Sequence, residues 1–101
     1  MNKIYLLLGS NVGNREKFLS LAFAKIKKKI GNITISSSLY ETEPWGNSQQ
    51  KKFLNQVLCA ETFLSHKQLL DETLNIEKDI GRKQQKDKWQ PRIIDIDILF
   101  Y

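Results

Sequence analysis

The chain is 101 residues long, 41% hydrophobic and 27% charged, a balance that excludes intrinsic disorder and suits one globular domain. Sixteen basic residues against eleven acidic ones leave +5, so the favoured partners are anionic: nucleotides, nucleic acid or acidic membrane surfaces. Cys59 is the single cysteine, which excludes an intrachain disulfide and a cysteine-rich zinc site, and the apolar run 4–8 is too short to span a bilayer and lacks a signal-peptide pattern; a cytoplasmic protein is expected.

Residues 3–9 are apolar and stopped by glycine, as in a buried strand. Gly9-Ser10-Asn11-Val12-Gly13-Asn14 follows as a turn-rich connection; it lacks both the Gly-Lys-Ser/Thr ending of a P-loop and the dinucleotide fingerprint. Leu19, Phe23, Ile26 and Ile30 recur at helical spacing, with Lys25, Lys27, Lys28 and Lys29 mostly on the solvated side, and Gly31-Asn32 are expected to end that helix. Residues 33–42 mix β-branched and small polar side chains and predict an edge strand; 43–52, with Pro44, Gly46 and Asn47, predict a loop; 53–63 predict a second long strand. Ser65 and Gln68 have the form of a capping box ahead of the stripe Leu69, Thr73, Ile76 and Ile80, which Gly81 is expected to close. A polar loop from Arg82 to residue 90 leads, through Pro91, into a last strand over 92–101. This order predicts an α+β fold of the ferredoxin-like β-α-β-β-α-β type, with the helices on one sheet face and the other face left for a ligand.

The last strand carries the strongest chemical signal. Alternate strand residues share a face, so Asp95 and Asp97 project together, away from Ile94, Ile96 and Ile98. Two carboxylates on a rigid strand can grip a hard cation such as Mg²⁺, which commonly shares one or two carboxylates with substrate phosphates. Two solvated acids on an amphipathic strand would be the commoner explanation of Asp-x-Asp alone. Arg92 just before the pair and Arg82 at the loop's start change that weight, because guanidinium groups for phosphate beside carboxylates for metal are what phosphoryl transfer needs. Lys83, Lys86 and Lys88 with Trp89 complete a basic loop able to close over a triphosphate. Phe53 and Asn55 share a face by parity; a ring for stacking and an amide that both donates and accepts suit a flat heterocycle such as a pterin, and Thr42 can add a hydroxyl. By themselves, a core phenylalanine and a turn-proximal asparagine would look the same. Arg15 is read as structural, Cys59 as a small core residue, and His66 is assigned no chemistry.

Four segments together resemble the 6-hydroxymethyl-7,8-dihydropterin pyrophosphokinases: residues 8–15; residues 38–46 followed by Phe53-Leu54-Asn55; Ile76-Glu77 with Gly81-Arg82; and Trp89-Gln90-Pro91-Arg92-Ile93-Ile94-Asp95-Ile96-Asp97-Ile98-Leu99. The resemblance spans nearly the whole chain, and it implies a pterin pyrophosphokinase core domain over 1–101 that transfers pyrophosphate from ATP to 6-hydroxymethyl-7,8-dihydropterin in folate biosynthesis. It implies two Mg²⁺ ions on Asp95 and Asp97, a pterin site at Thr42, Phe53 and Asn55, phosphate contacts from Arg82 and Arg92, and nucleotide contacts from Glu77 and Trp89. The family also continues past the Asp-x-Asp strand into a segment that supplies a second aromatic on the pterin and His and Arg groups near the nucleotide; this sequence stops at Tyr101. Two other readings compete. An RNA-recognition module would fit the charge, but it requires an aromatic signature that residues 53–58 lack, and it leaves the aspartates unexplained. A non-catalytic interaction domain would pair through an open sheet edge.

Overall fold

β1 (Asn2–Ser10), the apolar N-terminal run, lies inside an antiparallel sheet, between β4 (Phe53–Thr62) and β5 (Asp95–Phe100). The computed structural model describes residues 1–43, 51–82 and 93–101, Arg82 by its backbone alone. Strand order is β2-β4-β1-β5, with β2 (Gly31–Ser36) and the short β3 (Tyr40–Thr42) both pairing with β4. α1 (Arg15–Lys29) and α2 (His66–Arg82) touch each other and pack on the same core.

Alternation explains the layering. Ile4, Leu6 and Leu8 of β1, Leu54, Leu58 and Ala60 of β4 and Ile96 of β5 form one buried cluster with Phe18, Leu19, Ala22 and Ile26 of α1 and Leu69, Ile76 and Ile80 of α2. Each fully buried aliphatic side chain stabilises the fold by about 1.5–3 kcal/mol. The intervening residues of each strand, including Gly9, Phe53, Asn55, Asp95 and Asp97, belong to the opposite face. Among the described residues, no helix is long and apolar enough to cross a membrane.

The helix starts follow the sequence closely. Asn14 Oδ1 accepts from the Lys17 amide at 3.1 Å, after a turn in which Gly13 adopts φ 64°. At α2, the Ser65 amide donates to Gln68 Oε1 at 2.8 Å and the Gln68 amide donates to Ser65 Oγ at 3.2 Å, a complete capping box.

Three expectations are corrected, and one gains a different cause. α1 ends just before Gly31, as expected, but no left-handed turn stops it: Ile30 is the cap, and Gly31 opens β2 without a positive φ. Its need for glycine is one of space, since a Cβ there would lie 2.0 Å from the Glu61 carbonyl oxygen. The strand expected over 33–42 is broken at 37–39, because Ser37 takes over the pairing itself: its amide donates to Val57 O at 2.8 Å and its Oγ accepts from the Val57 amide at 2.9 Å. Gly81 does not end α2, which continues to Arg82; glycine stops a helix by turning left-handed, and Gly81 does not. The last strand starts at Asp95 and not at residue 92; Ile93 and Ile94 precede it as buried core residues. Of the loops predicted over 43–52 and 82–90, residues 44–50 and 83–90 lie outside the described residues, as do residues 91 and 92.

Candidate active site

Register, which no strand reveals alone, assembles the open face. Gly9 pairs with Asn55 on one side and Asp95 on the other; Leu7 pairs with Val57 and Asp97. Tyr40 pairs with Asn55, and Thr42 with Phe53. Directly paired residues point to the same face of a sheet. Thr42, Phe53, Asn55, Asp95 and Asp97, from three strands, therefore share one surface centred on Gly9.

Asn55 is buried, and its Nδ2 donates to Thr42 Oγ1 at 2.8 Å and to the Tyr40 carbonyl at 3.3 Å. Its Oδ1 lies over Gly9: a Cβ at Gly9 would meet Asn55 Oδ1 at 3.0 Å and Phe53 Cδ1 at 3.5 Å. Sequence reading treated Gly9 as a strand stop and missed it as the floor of the site. The only signal was its parity with Leu7 and Tyr5, which becomes informative once the register is known. Arg15 braces the same corner, its guanidinium donating to the Lys52 carbonyl at 2.8 Å and pairing with Glu41 at 2.9 Å. It thereby ties the start of α1 to β3 and to the chain entering β4, which fits its structural reading.

On the other side of the face, Asp95 is half-buried and Asp97 exposed. Between them the Ile96 amide donates to Glu77 Oε2 of α2 at 2.7 Å. Glu77, expected as a nucleotide contact, thus holds the backbone that presents both aspartates. A groove of about 360 Å³ opens between α2 and β5, lined by His66, Leu70, Thr73, Leu74, Glu77, Ile96, Asp97 and Ile98. Leu70 and Leu74 are 48% and 50% exposed, an apolar row beside the core stripe that sequence reading passed over, although the spacing of Leu70, Leu74 and Glu77 along the helix could have shown it. Among the described residues, no group of three or more His, Cys, Asp or Glu side chains could hold a metal ion. The Arg82 side chain, Trp89, Arg92 and the loop lysines lie outside the described residues.

The family model for 7,8-dihydro-6-hydroxymethylpterin-pyrophosphokinase (HPPK) matches residues 5–101. The chain belongs to this family. Among HPPK relatives, the 2-amino-4-hydroxy-6-hydroxymethyldihydropteridine pyrophosphokinase of Aquifex aeolicus is 45% identical over 101 residues, covering all of this chain and 62% of that protein. The Bacillus subtilis enzyme of the same name is 41% identical over 103 residues, covering all of this chain and 61% of that protein. The chain thus spans about three fifths of the length of these relatives. A crystal structure of a Plasmodium falciparum HPPK-DHPS triple mutant with STZ-DHP superposes with a TM-score of 0.78 at 20% identity, covering 98% of this chain and 28% of that one, which establishes the likeness of fold. HPPK membership gives no support to the RNA-recognition or interaction-domain readings.

Proposed function

We propose that residues 1–101 form the core domain of an enzyme that transfers a pyrophosphoryl group from ATP to 6-hydroxymethyl-7,8-dihydropterin, releasing AMP, in folate biosynthesis. The observation that carries this reading is the shared sheet face on which Thr42, Phe53, Asn55, Asp95 and Asp97 meet around Gly9. The strand order, with β2 and β3 taken as one interrupted edge, is read as the ferredoxin-like sandwich. A cytoplasmic location accords with the lone buried Cys59.

Phe53 stacks on the pterin ring. Asn55 spends its Nδ2 on Thr42 and Tyr40, so its Oδ1 is oriented to accept from the donor edge of the pterin. The Thr42 oxygen accepts from Asn55, and its own proton remains to be donated. The donor set at Asp95 and Asp97 fits Mg²⁺: two oxygen-bearing groups on one strand face, with no third side chain closing a cage among the described residues, leave positions for water and phosphate. Asp95 and Asp97 would hold two Mg²⁺ ions, which when bound supply phosphate neutralisation and lower the cost of alkoxide character at the attacking oxygen. Asp97 borders both the open face and the α2–β5 groove, so a nucleoside lying along Leu70, Leu74 and Ile98 would place its phosphates at the aspartate pair. By the family resemblance, Arg82 and Arg92 would meet the phosphate charge and Trp89 would help shape or close the active-site loop, while Glu77 borders the groove and fixes β5. The pterin hydroxyl oxygen attacks the β-phosphorus; that bond forms as the bond from the β-phosphorus to the oxygen of AMP breaks, and the hydroxyl proton passes to solvent. Positioning and charge stabilisation carry the rate.

Calorimetry of the full chain with a non-hydrolysable ATP analogue, Mg²⁺ and the pterin, followed by an AMP-formation assay on wild type, Asp95→Ala and Asp97→Ala, tests the reading. Metal-dependent nucleotide binding by wild type and loss of AMP formation in both variants, with circular dichroism unchanged, are expected. AMP formation at the wild-type rate by either variant would remove the metal assignment.

A further inference from the structure

His66 begins α2, at the end of the groove away from Glu77. Glu77 lies eleven positions along the helix from His66, so the groove floor runs about 16 Å between them. The His66 ring is stacked on Tyr101, with centroids 5.1 Å apart and planes at 29°. Tyr101 is itself fixed at its far end: its hydroxyl donates to the Leu64 carbonyl at 2.7 Å and accepts from Asn2 Nδ2 at 2.8 Å. An exposed imidazole at a helix start would ordinarily sample several rotamers. Here the beginning of β1, the residue after β5 and the approach to α2 converge to park it at the groove mouth.

The rest of the lining explains why that placement matters. Leu70, Leu74 and Ile98 offer apolar contact without hydrogen bonds. The Thr73 hydroxyl already donates to the Leu70 carbonyl at 2.8 Å, and Glu77 accepts from Ile96 at the other end. At the end remote from the aspartates, His66 is the lining side chain that brings both a donor and an acceptor, on a flat ring able to contact a heterocycle.

We infer that His66, held by Tyr101, is a specificity-determining residue for the nucleotide, reading the edge of the purine base that lies in the groove. The inference rests on the nucleotide assignment made above. The base stacks against Leu70, Leu74 and Ile98, and the imidazole at the groove's end distinguishes an amino from a carbonyl substituent on that base. Tyr101 is a positioning residue, acting only through the imidazole.

The test measures binding of non-hydrolysable ATP and GTP analogues, each with Mg²⁺, to the wild-type chain and to His66→Ala, His66→Gln and Tyr101→Ala, with pterin binding measured in parallel. His66→Ala should weaken the ATP analogue by about tenfold, the scale of one lost hydrogen bond, and bring the ATP-to-GTP affinity ratio towards one. His66→Gln, which keeps a donor and an acceptor, should recover part of both, and Tyr101→Ala should fall between wild type and His66→Ala. Pterin affinity should stay unchanged in all of them, which also reports an intact fold. A wild-type chain that binds neither nucleotide overturns the nucleotide assignment itself. A wild-type chain that binds ATP while His66→Ala keeps both its affinity and its ratio overturns this inference alone.

Discussion

Replacing Gly9 by alanine separates the site from the fold. The added methyl carbon would lie 3.5 Å from Phe53 Cδ1, an ordinary contact, and 3.0 Å from Asn55 Oδ1, which must retreat by a few tenths of an ångström. Asn55 has little room to do so: it is buried and tied by Nδ2 to Thr42 at 2.8 Å and to Tyr40 at 3.3 Å. Overpacking of this kind costs about 1–3 kcal/mol. Against it stands a gain of about 0.4–1 kcal/mol from restricting the unfolded chain, since the φ of Gly9 is not positive. The net loss is roughly 0–2.5 kcal/mol, within the ~5–15 kcal/mol that holds a domain together, so Gly9→Ala folds. The pterin, however, loses a correctly placed acceptor, worth about 1–3 kcal/mol or roughly a 5- to 150-fold rise in Kd. No Asp95 or Asp97 atom lies within 4 Å of the new carbon, so Mg²⁺–nucleotide affinity should stay within about twofold. Urea denaturation gives the first quantity and calorimetry the other two. A folded Gly9→Ala chain that binds pterin as wild type does would refute the idea that Asn55 and Phe53 form the pterin seat.

Glu77→Ala removes the acceptor of the Ile96 amide; stability should fall by about 1–3 kcal/mol, and hydrogen exchange at Ile96 should accelerate, whereas unaltered exchange there would rule out the strand-holding role. Gly31→Ala places a methyl 2.0 Å from a backbone oxygen that no side-chain rotation can move, so a loss of about 3 kcal/mol or more is expected from the urea midpoint, and a loss below about 1 kcal/mol would show that the strands can part. Arg92→Ala should lower kcat/KM for AMP formation by about 100-fold or more; an unchanged kcat/KM rejects its phosphate role.

Periodicity made the element types legible. The apolar alternation of β1 and the stripes of both helices depend on local spacing, and the Ser65–Gln68 box is a four-residue signal. The shared orientation of Asp95 and Asp97 likewise follows from parity within one strand. That Asn55 and Asp95 flank the same glycine was not legible, because it depends on pairing between segments forty residues or more apart. The boundary at Gly31 was legible but its cause was not, and the one at Gly81 was missed: glycine signals freedom of backbone conformation, but at Gly31 the fold uses it for close approach, and at Gly81 not to turn at all. The groove escaped notice since exposed leucines at helical spacing look like ordinary surface until a neighbouring strand edge makes them a wall.

The pairing of β1 with β5 joins segments about ninety residues apart: Leu7 meets Asp97, and Gly9 meets Asp95. On the ribosome, one hydrogen-bonding edge of β1 must therefore wait until β5 has been made. A nascent chain lacking β5 carries an unzipped flank that can recruit foreign strands. Long-range closure of this sort also slows folding relative to local contacts. Asp95 and Asp97, the proposed metal ligands, arrive with β5, so a folding intermediate that lacks this strand lacks both carboxylates.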